Sequence, residues 1–226
     1  IQKREALAQG GSMIRRAKKM IGIGSPRASL ESNFALRELV GAENFYSGMS
    51  VPEHDLVVRV LEALKATPAT IATIESIENA DAVLVLGEDV TSTAPRVALA
   101  LRQAARGKAG DLGAKKSVPE WQAIALADLV QKEKNPLFIV TPDATRLDDV
   151  ATKTRHAAPD DIARLGHAIA GLLDAKAPQV KGLAAADQAL AREIADVLTT
   201  ARRPLIVSGT GAMSADPTRI DVVVVG

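Results

Sequence analysis

Cysteine is absent from all 226 residues. That excludes disulfides, thiolate zinc centres and cysteine-ligated iron–sulfur clusters from this stretch of chain. Aromatic residues amount to 2%, namely Phe34, Phe45, Phe138, Tyr46 and Trp121, and the one tryptophan and one tyrosine leave too few rings for a base-stacking platform. Neither sign of charge dominates: 28 Lys and Arg are interspersed with 27 Asp and Glu, so no broad electrostatic footprint for nucleic acid is visible. Long hydrophobic runs are missing as well. None approaches the roughly 18 residues of a membrane span, and the opening IQKREALAQGGSMIRRAKK is too charged for a signal peptide. These absences point to a soluble, cytoplasmic-type protein. Ile1 in place of an initiator Met, and RIDVVVVG at the other end, lead us to expect an excerpt of a longer chain.

What is present is aliphatic. Hydrophobic residues reach 47%, enough for one large α/β domain or two small lobes with a core of Ala, Val, Leu and Ile. Four short apolar runs closed by Gly or Pro punctuation read as buried strands: Met20 to Gly24, Ala82 to Gly87, Leu137 to Val140 and Leu205 to Gly209, with a fifth at Val222 to Val225. Helical patterns fall between them, at Glu31 to Val40, Pro52 to Ala66, Pro95 to Arg106, Val118 to Lys132, Asp160 to Asp174 and Ala185 to Thr200, after an N-terminal helix from Glu5 to Met20. The alternation predicts an α/β fold, a Rossmann-like parallel sheet with helices on both faces. Arg106 to Glu120, rich in Gly and Lys, reads as a surface loop or a hinge, and Ala175 to Leu183 as a loop between two helices.

Ligands of such sheets bind at the carboxyl ends of the strands. At the first, Gly22, Gly24 and Ser25 precede a helix whose cap is Ser25 or Ser29, and a helix N-terminus attracts anions. GIGSPR is not the G-x-G-x-x-G fingerprint, however, because Arg27 stands at the third glycine position. A plain tight turn is the expected reading. At the second, Gly87 is followed by Glu88 and Asp89, two carboxylates that repel phosphate; they could instead hydrogen-bond a ribose or cap the turns at Thr91 to Thr93.

The third strand end carries Asp143, Asp148, Asp149 and His156. Adjacent Asp148 and Asp149 point in different directions on a helix and His156 lies beyond another turn, so this is not metal-ligand spacing. His54, His156 and His167 are scattered, with no serine or acid at a motif-like distance, so a nucleophile triad has no support. Arg15 to Lys19 reads as a solvated helix end beside the negative pole of the macrodipole. No catalytic, cofactor-binding or metal residue is assigned.

Taken in order, GSPRASLESNFALRELVG, IESIENADAVLVLGEDVTSTAPRVALALRQAARGK, NPLFIVTPDATRLDDVATKTRHAAPDDIARLGHAIAGLL and RRPLIVSGTGA resemble the molybdopterin-oxidoreductase superfamily. Within it they resemble the family of the large iron–sulfur subunit of the bacterial respiratory NADH:quinone oxidoreductase, complex I. The resemblance runs from about Met20 to Gly211 and includes the long insertion with Trp121, which the molybdenum enzymes generally lack. Where those enzymes grip a pterin dinucleotide with Gly-x-Asn, Asp-Pro-Arg and Pro-Gly-x-Asp, this chain has Gly87-Glu88-Asp89, Thr141-Pro142-Asp143 and Pro159-Asp160-Asp161. Each position has gained acid or lost its arginine, which weakens a pyrophosphate site.

The resemblance therefore implies an architectural domain of the electron-transfer arm, part of an enzyme but without chemistry of its own. Its iron–sulfur clusters would be ligated by cysteines N-terminal to this region. Its partners would be other complex I subunits, especially the NADH-oxidising module, with no nucleic acid and no membrane insertion, and its place the cytoplasmic side of the bacterial inner membrane, peripheral. The alternatives are a pterin-dinucleotide-binding domain of a molybdopterin-dependent oxidoreductase and a free-standing NAD-dependent dehydrogenase. Residues 1–213 are expected to form the Rossmann-like domain. Residues 214–226 are expected to be a terminal strand resembling one from further along the family's chain, after a segment omitted between Met213 and Asp216.

Overall fold

The computed structural model describes residues 2–66, 70–119, 121–122, 124–126 and 133–210. The expected strand Val222 to Val225 and part of the expected helix Val118 to Lys132 lie outside these residues. Contacts divide the chain into two compact units, Ile1–His54 and Asp55–Gly226.

In the first unit, helix α1 (Lys3–Arg16) buries no residue. It ends earlier than its pattern predicts, leaving Ala17 to Lys19 beyond its end. Strand β1 (Gly22–Ile23) leads into α2 (Leu30–Val40), and a 3-10 turn (Ala42–Asn44) delivers β2 (Phe45–Tyr46). β1 and β2 pair in parallel, Gly22 opposite Phe45 and Ile23 opposite Tyr46. Of the expected run Met20 to Gly24 only Gly22–Ile23 is a strand, and it belongs to its own two-stranded sheet and not to the main one. β2 has no sequence signal: two residues after a turn show no alternation to read.

Helix α3 (Val51–Ala66) carries the chain into the second unit, where α4 (Ile74–Glu78) precedes β3 (Ala82–Leu86). There follow α5 (Val90–Thr93), α6 (Pro95–Arg106), α7 (Lys108–Lys115), β4 (Leu137–Thr141), β5 (Lys153–His156), α8 (Pro159–Leu173), α9 (Ala185–Thr200) and β6 (Pro204–Ser208). The four strands form one all-parallel sheet in the order β5-β4-β3-β6. Side chains alternate across it. Val83, Val85, Leu137 and Ile139 meet Ile77 and the Ala and Leu side chains of α6 on one face. Leu84, Leu86, Phe138 and Val140 meet Ile162, Leu165 and Ile169 of α8 and Ile194 of α9 on the other. Both faces of β3 and β4 are buried, which is why their sequences read as continuous apolar runs. The expected α/β class, a parallel sheet with helices on both faces, holds here.

Two local readings need correction. Arg106 to Glu120 is not simply a loop, because Lys108–Lys115 is helical despite its two glycines. A Cβ on Gly113 would run into Leu126, so packing of the helix against residue 126 accounts for a glycine that looked like a breaker. The helix stops at Lys116 and Ser117, the latter in the left-handed region at φ 56°. β5 is the second surprise: KTRH has no apolar alternation because it is an open edge strand.

Candidate functional site

The strand order β5-β4-β3-β6 corresponds to 3-2-1-4 of the doubly wound plan. The chain leaves β3 toward β4 over one face and returns from β5 to β6 over the other, so the crevice where strand order reverses lies between the carboxyl ends of β3 and β6. Gly87 closes β3 there with φ 82°, and Gly209 follows β6. A carboxylate stands at this crevice. A Cβ built on Gly209 would fall 2.9 Å from the carboxylate carbon of Glu88, so the Glu88 side chain lies directly over the Gly209 backbone. A phosphate placed about 4 Å from that carboxylate would be repelled by about 1 kcal/mol in water and about 4 kcal/mol at an effective dielectric of 20. Asp89 turns the other way and caps α5, its Oδ1 accepting from the Thr91 amide at 3.0 Å and from the Thr91 hydroxyl. That hydroxyl bond holds the Asp89 carboxyl below the usual range, against its partial burial.

At the end of β1 the turn is satisfied internally as well. The Ser25 amide donates to Asn33 Oδ1 at 3.0 Å, and Asn33 Nδ2 donates back to the Ser25 carbonyl at 2.9 Å. The Ser29 hydroxyl, the actual cap of α2, accepts from the Ser32 amide at 3.2 Å. Side-chain oxygens of this chain thus take two amides that an anion would need. Gly24 is required because a Cβ there would lie 2.8 Å from the Phe45 ring and still closer to Asn33 Oδ1. Asn33 is the residue that sequence reasoning missed. Its i+8 relation to Ser25 matches no local motif, and only the fold of the turn brings the two together.

The third strand end sorts its polar residues into separate jobs. Asp148 accepts from the Thr145 amide and hydroxyl at 3.1 and 2.8 Å and faces His156 Nε2 at 3.1 Å. The scattered-histidine reading overlooked that pairing. Thr141 is buried, and its hydroxyl, which lies 3.4 Å from His156 Nδ1, donates to the Asp143 carbonyl at 2.8 Å. It is therefore no accessible nucleophile. Asp149 turns instead to Arg102 of α6, accepting at 2.8 and 3.0 Å, and the guanidinium bond lowers its pKa. His54 stands on α3 and His167 on α8, apart in the fold from His156 on β5. Among the described residues no three His, Asp or Glu converge as metal ligands. With no cysteine in the sequence either, the donor set does not fit an iron–sulfur cluster. The pterin positions fit no better, because Glu88 sets a carboxylate over Gly209 and Pro159-Asp160-Asp161 opens α8 with two more.

Clefts among the described residues lie elsewhere. One of about 260 Å³, between α8, the 175–183 loop and α9, is lined by His167, Gln179, Gln188 and Arg192 among others. One of about 450 Å³ opens beside Thr73 and Arg203 at the amino end of β6. Neither shares a lining residue with the carboxyl ends of the strands.

No family model matches the chain. It is similar to proteins named as the G subunit of NADH-quinone oxidoreductase: 52% identical over 206 residues to that of Pseudomonas fluorescens, covering 91% of this chain and 23% of the relative. Identity is 48% over 212 residues to that of Salmonella typhimurium and 47% over 212 residues to that of Escherichia coli strain K12, each covering 94% of this chain and 23% of the relative. The chain spans about a quarter of the length of the curated relatives it matches. Over more than nine tenths of its own residues, then, the chain is homologous to the G subunits of NADH-quinone oxidoreductase.

Proposed function

We propose that the chain is an architectural portion of a subunit of NADH-quinone oxidoreductase, supporting the cluster-bearing part of the electron-transfer arm and touching neighbouring subunits, above all the NADH-oxidising module. On this reading the enzyme's redox chemistry belongs to other parts of the assembly, and the iron–sulfur clusters are held by cysteines outside these residues. The arm would sit on the cytoplasmic side of the bacterial inner membrane. In keeping with that, no helix among the described residues is long and apolar enough to cross a membrane.

The observation that carries the reading is the carboxylate of Glu88 over Gly209. In a doubly wound sheet the switch-point crevice is where a dinucleotide would lie, and here an acidic side chain of the chain itself lies over the Gly209 backbone at that point. The Asn33 clasp at the end of β1 supports the same conclusion. The fold has kept the shape of a nucleotide-binding sheet while its anion-binding groups are spent internally, which also counts against a pterin-dinucleotide domain.

The test separates assembly from turnover. In the assembled oxidoreductase, Glu88→Gln should leave the NADH oxidation rate per assembled complex unchanged. Arg155→Leu, which removes a tie between β5 and α9, should lower the amount of complex recovered but not the rate of what assembles. A changed rate per complex with Glu88→Gln would overturn the reading.

A further inference from the structure

At the strand ends, polar side chains such as Asp89, Asp148 and Asn33 are spent on the chain's own groups. The cleft of about 260 Å³ between α8, the 175–183 loop and α9 is of another kind. Some of its side chains build the wall, and others only face the space.

The loop is tied at both of its ends. Asp174 Oδ1, just after α8, accepts from the Lys176 amide at 2.9 Å. Arg164 of α8 donates from Nη2 to the carbonyls of Lys181 and Gly182 at 2.9 and 3.0 Å, and Gln188 Nε2 of α9 donates to the Leu183 carbonyl at 2.8 Å. The cleft is therefore formed before anything enters it, which removes part of the ordering cost of binding.

Three polar side chains of the lining are left over. Arg192 of α9, His167 of α8 and Gln179 of the loop make no hydrogen bond or ion pair with a described residue. Gln179 reaches α8 at Gly171, where a Cβ would come 3.3 Å from its Nε2. No Asp or Glu lines the cleft, and Leu172, Val180 and Leu183 give it aliphatic wall. A cation without a competing acid, set beside apolar surface, suits an anion that carries a hydrocarbon body. The anion is a carboxylate, because a guanidinium offers two N–H groups in a fixed fork to two oxygens and balances one charge with one. A phosphate dianion would keep a charge uncompensated. The volume exceeds the roughly 150 Å³ that accepts benzene and stays below the roughly 300 Å³ at which pockets for drug-sized ligands begin. The occupant is accordingly small.

We infer that the cleft between α8 and α9 is a binding site for a small aliphatic monocarboxylate. Arg192 takes its carboxylate, His167 and Gln179 supply hydrogen bonds, and Leu172, Val180 and Leu183 line its carbon chain. The site is separate from the strand ends on which the proposed function rests, so either can fail without the other.

Titration calorimetry and saturation-transfer NMR with hexanoate, on the full-length polypeptide encoded by the gene, test this. Arg192 is exposed, which limits what its charge contributes, so a dissociation constant of about 0.1–1 mM is expected. Hexanol, the same chain without the charge, should bind roughly tenfold more weakly. Arg192→Gln should weaken hexanoate by roughly tenfold, and Arg192→Lys, which keeps the charge but not the fork, by less. Both variants should fold, because this exposed side chain holds nothing else among the described residues in place. No binding of hexanoate at about 10 mM would overturn the inference. So would hexanoate affinity that Arg192→Gln leaves unchanged, or hexanol that binds as well as hexanoate. Inorganic phosphate displacing hexanoate at equal concentration would overturn the assignment to a carboxylate.

Discussion

Arg155 of β5 donates two hydrogen bonds to Asp187 in the first turn of α9, from Nε at 2.7 Å and Nη2 at 3.2 Å. An edge strand with no apolar side chain is thereby fixed to a helix of the core. The guanidinium holds the Asp187 carboxyl below the usual carboxylate range, and the carboxylate in turn raises the pKa of Arg155. Replacing Asp187 by Asn should cost on the order of 1–2 kcal/mol in urea denaturation, toward the low side for a charged hydrogen bond because Arg155 is partly open to solvent.

The same pair sets an acid dependence. A carboxyl whose folded pKa is depressed contributes stability that is fully present above the unfolded value, about 3.9. That contribution is lost as pH falls through the folded pKa. The stability difference between the native chain and Asp187→Asn should therefore be flat above about pH 5 and shrink as pH drops below about 4. A difference that grows on acidification would show that the pair is not the source.

At the end of β1, Gly24→Val should break the clasp between Ser25 and Asn33. Its side chain would enter space held by Asn33 Oδ1 and the Phe45 ring, an overpacking that costs on the order of 1–3 kcal/mol locally. The measurement is amide exchange in residues 20–46, which should accelerate, while the Leu84 amide of β3 is unaffected.

Neither NADH nor GDP should bind the chain. Titration calorimetry giving a micromolar dissociation constant, abolished by Gly24→Val, would restore a nucleotide site at the first strand end. Elemental analysis of the purified 226-residue chain should likewise find neither iron nor molybdenum in stoichiometric amount. About one molybdenum per chain would return the pterin reading to first place.

In the core, Leu101 of α6 is fully buried against Val83, Val85 and Leu137. Leu101→Ala should lower stability by about 2–5 kcal/mol, since packed sites collapse only partly around a lost side chain. Its exposed neighbour Leu99 should tolerate the same change with little loss.

How much of this was legible follows burial. β3 and β4 could be read because both their faces are covered, and α6 and α9 match their sequence patterns to the residue because period and punctuation agree. Lys153–His156 could not be read, since an edge strand needs only backbone pairing and its Lys153, Arg155 and His156 side chains reach Glu193, Asp187 and Asp148. The site was legible in composition alone. Glu88 and Asp89 announced that the second strand end was acidic, but their division of labour, one over Gly209 and one capping α5, depends on a strand that arrives more than a hundred residues later. Asn33 and Ser25, and likewise Asp148 and His156, meet through turns whose geometry no spacing rule encodes.

The place of β6 in the sheet has a consequence for how the chain is made. β3 is the central strand, and its second neighbour is the last described strand, Ala82 facing Pro204 in the ladder. Asp81 ties the two at their amino ends by accepting from the Arg202 and Arg203 amides at 3.1 and 2.7 Å. On a ribosome, β3 and β4 can meet early, but one edge of Ala82–Leu86 then stays open until α8, α9 and β6 have all emerged. For that interval the most apolar strand of the sheet is an unpaired template. The nascent chain therefore passes through a window, closed by Asp81 and β6, in which the open edge of Ala82–Leu86 is where a second copy of the chain could pair.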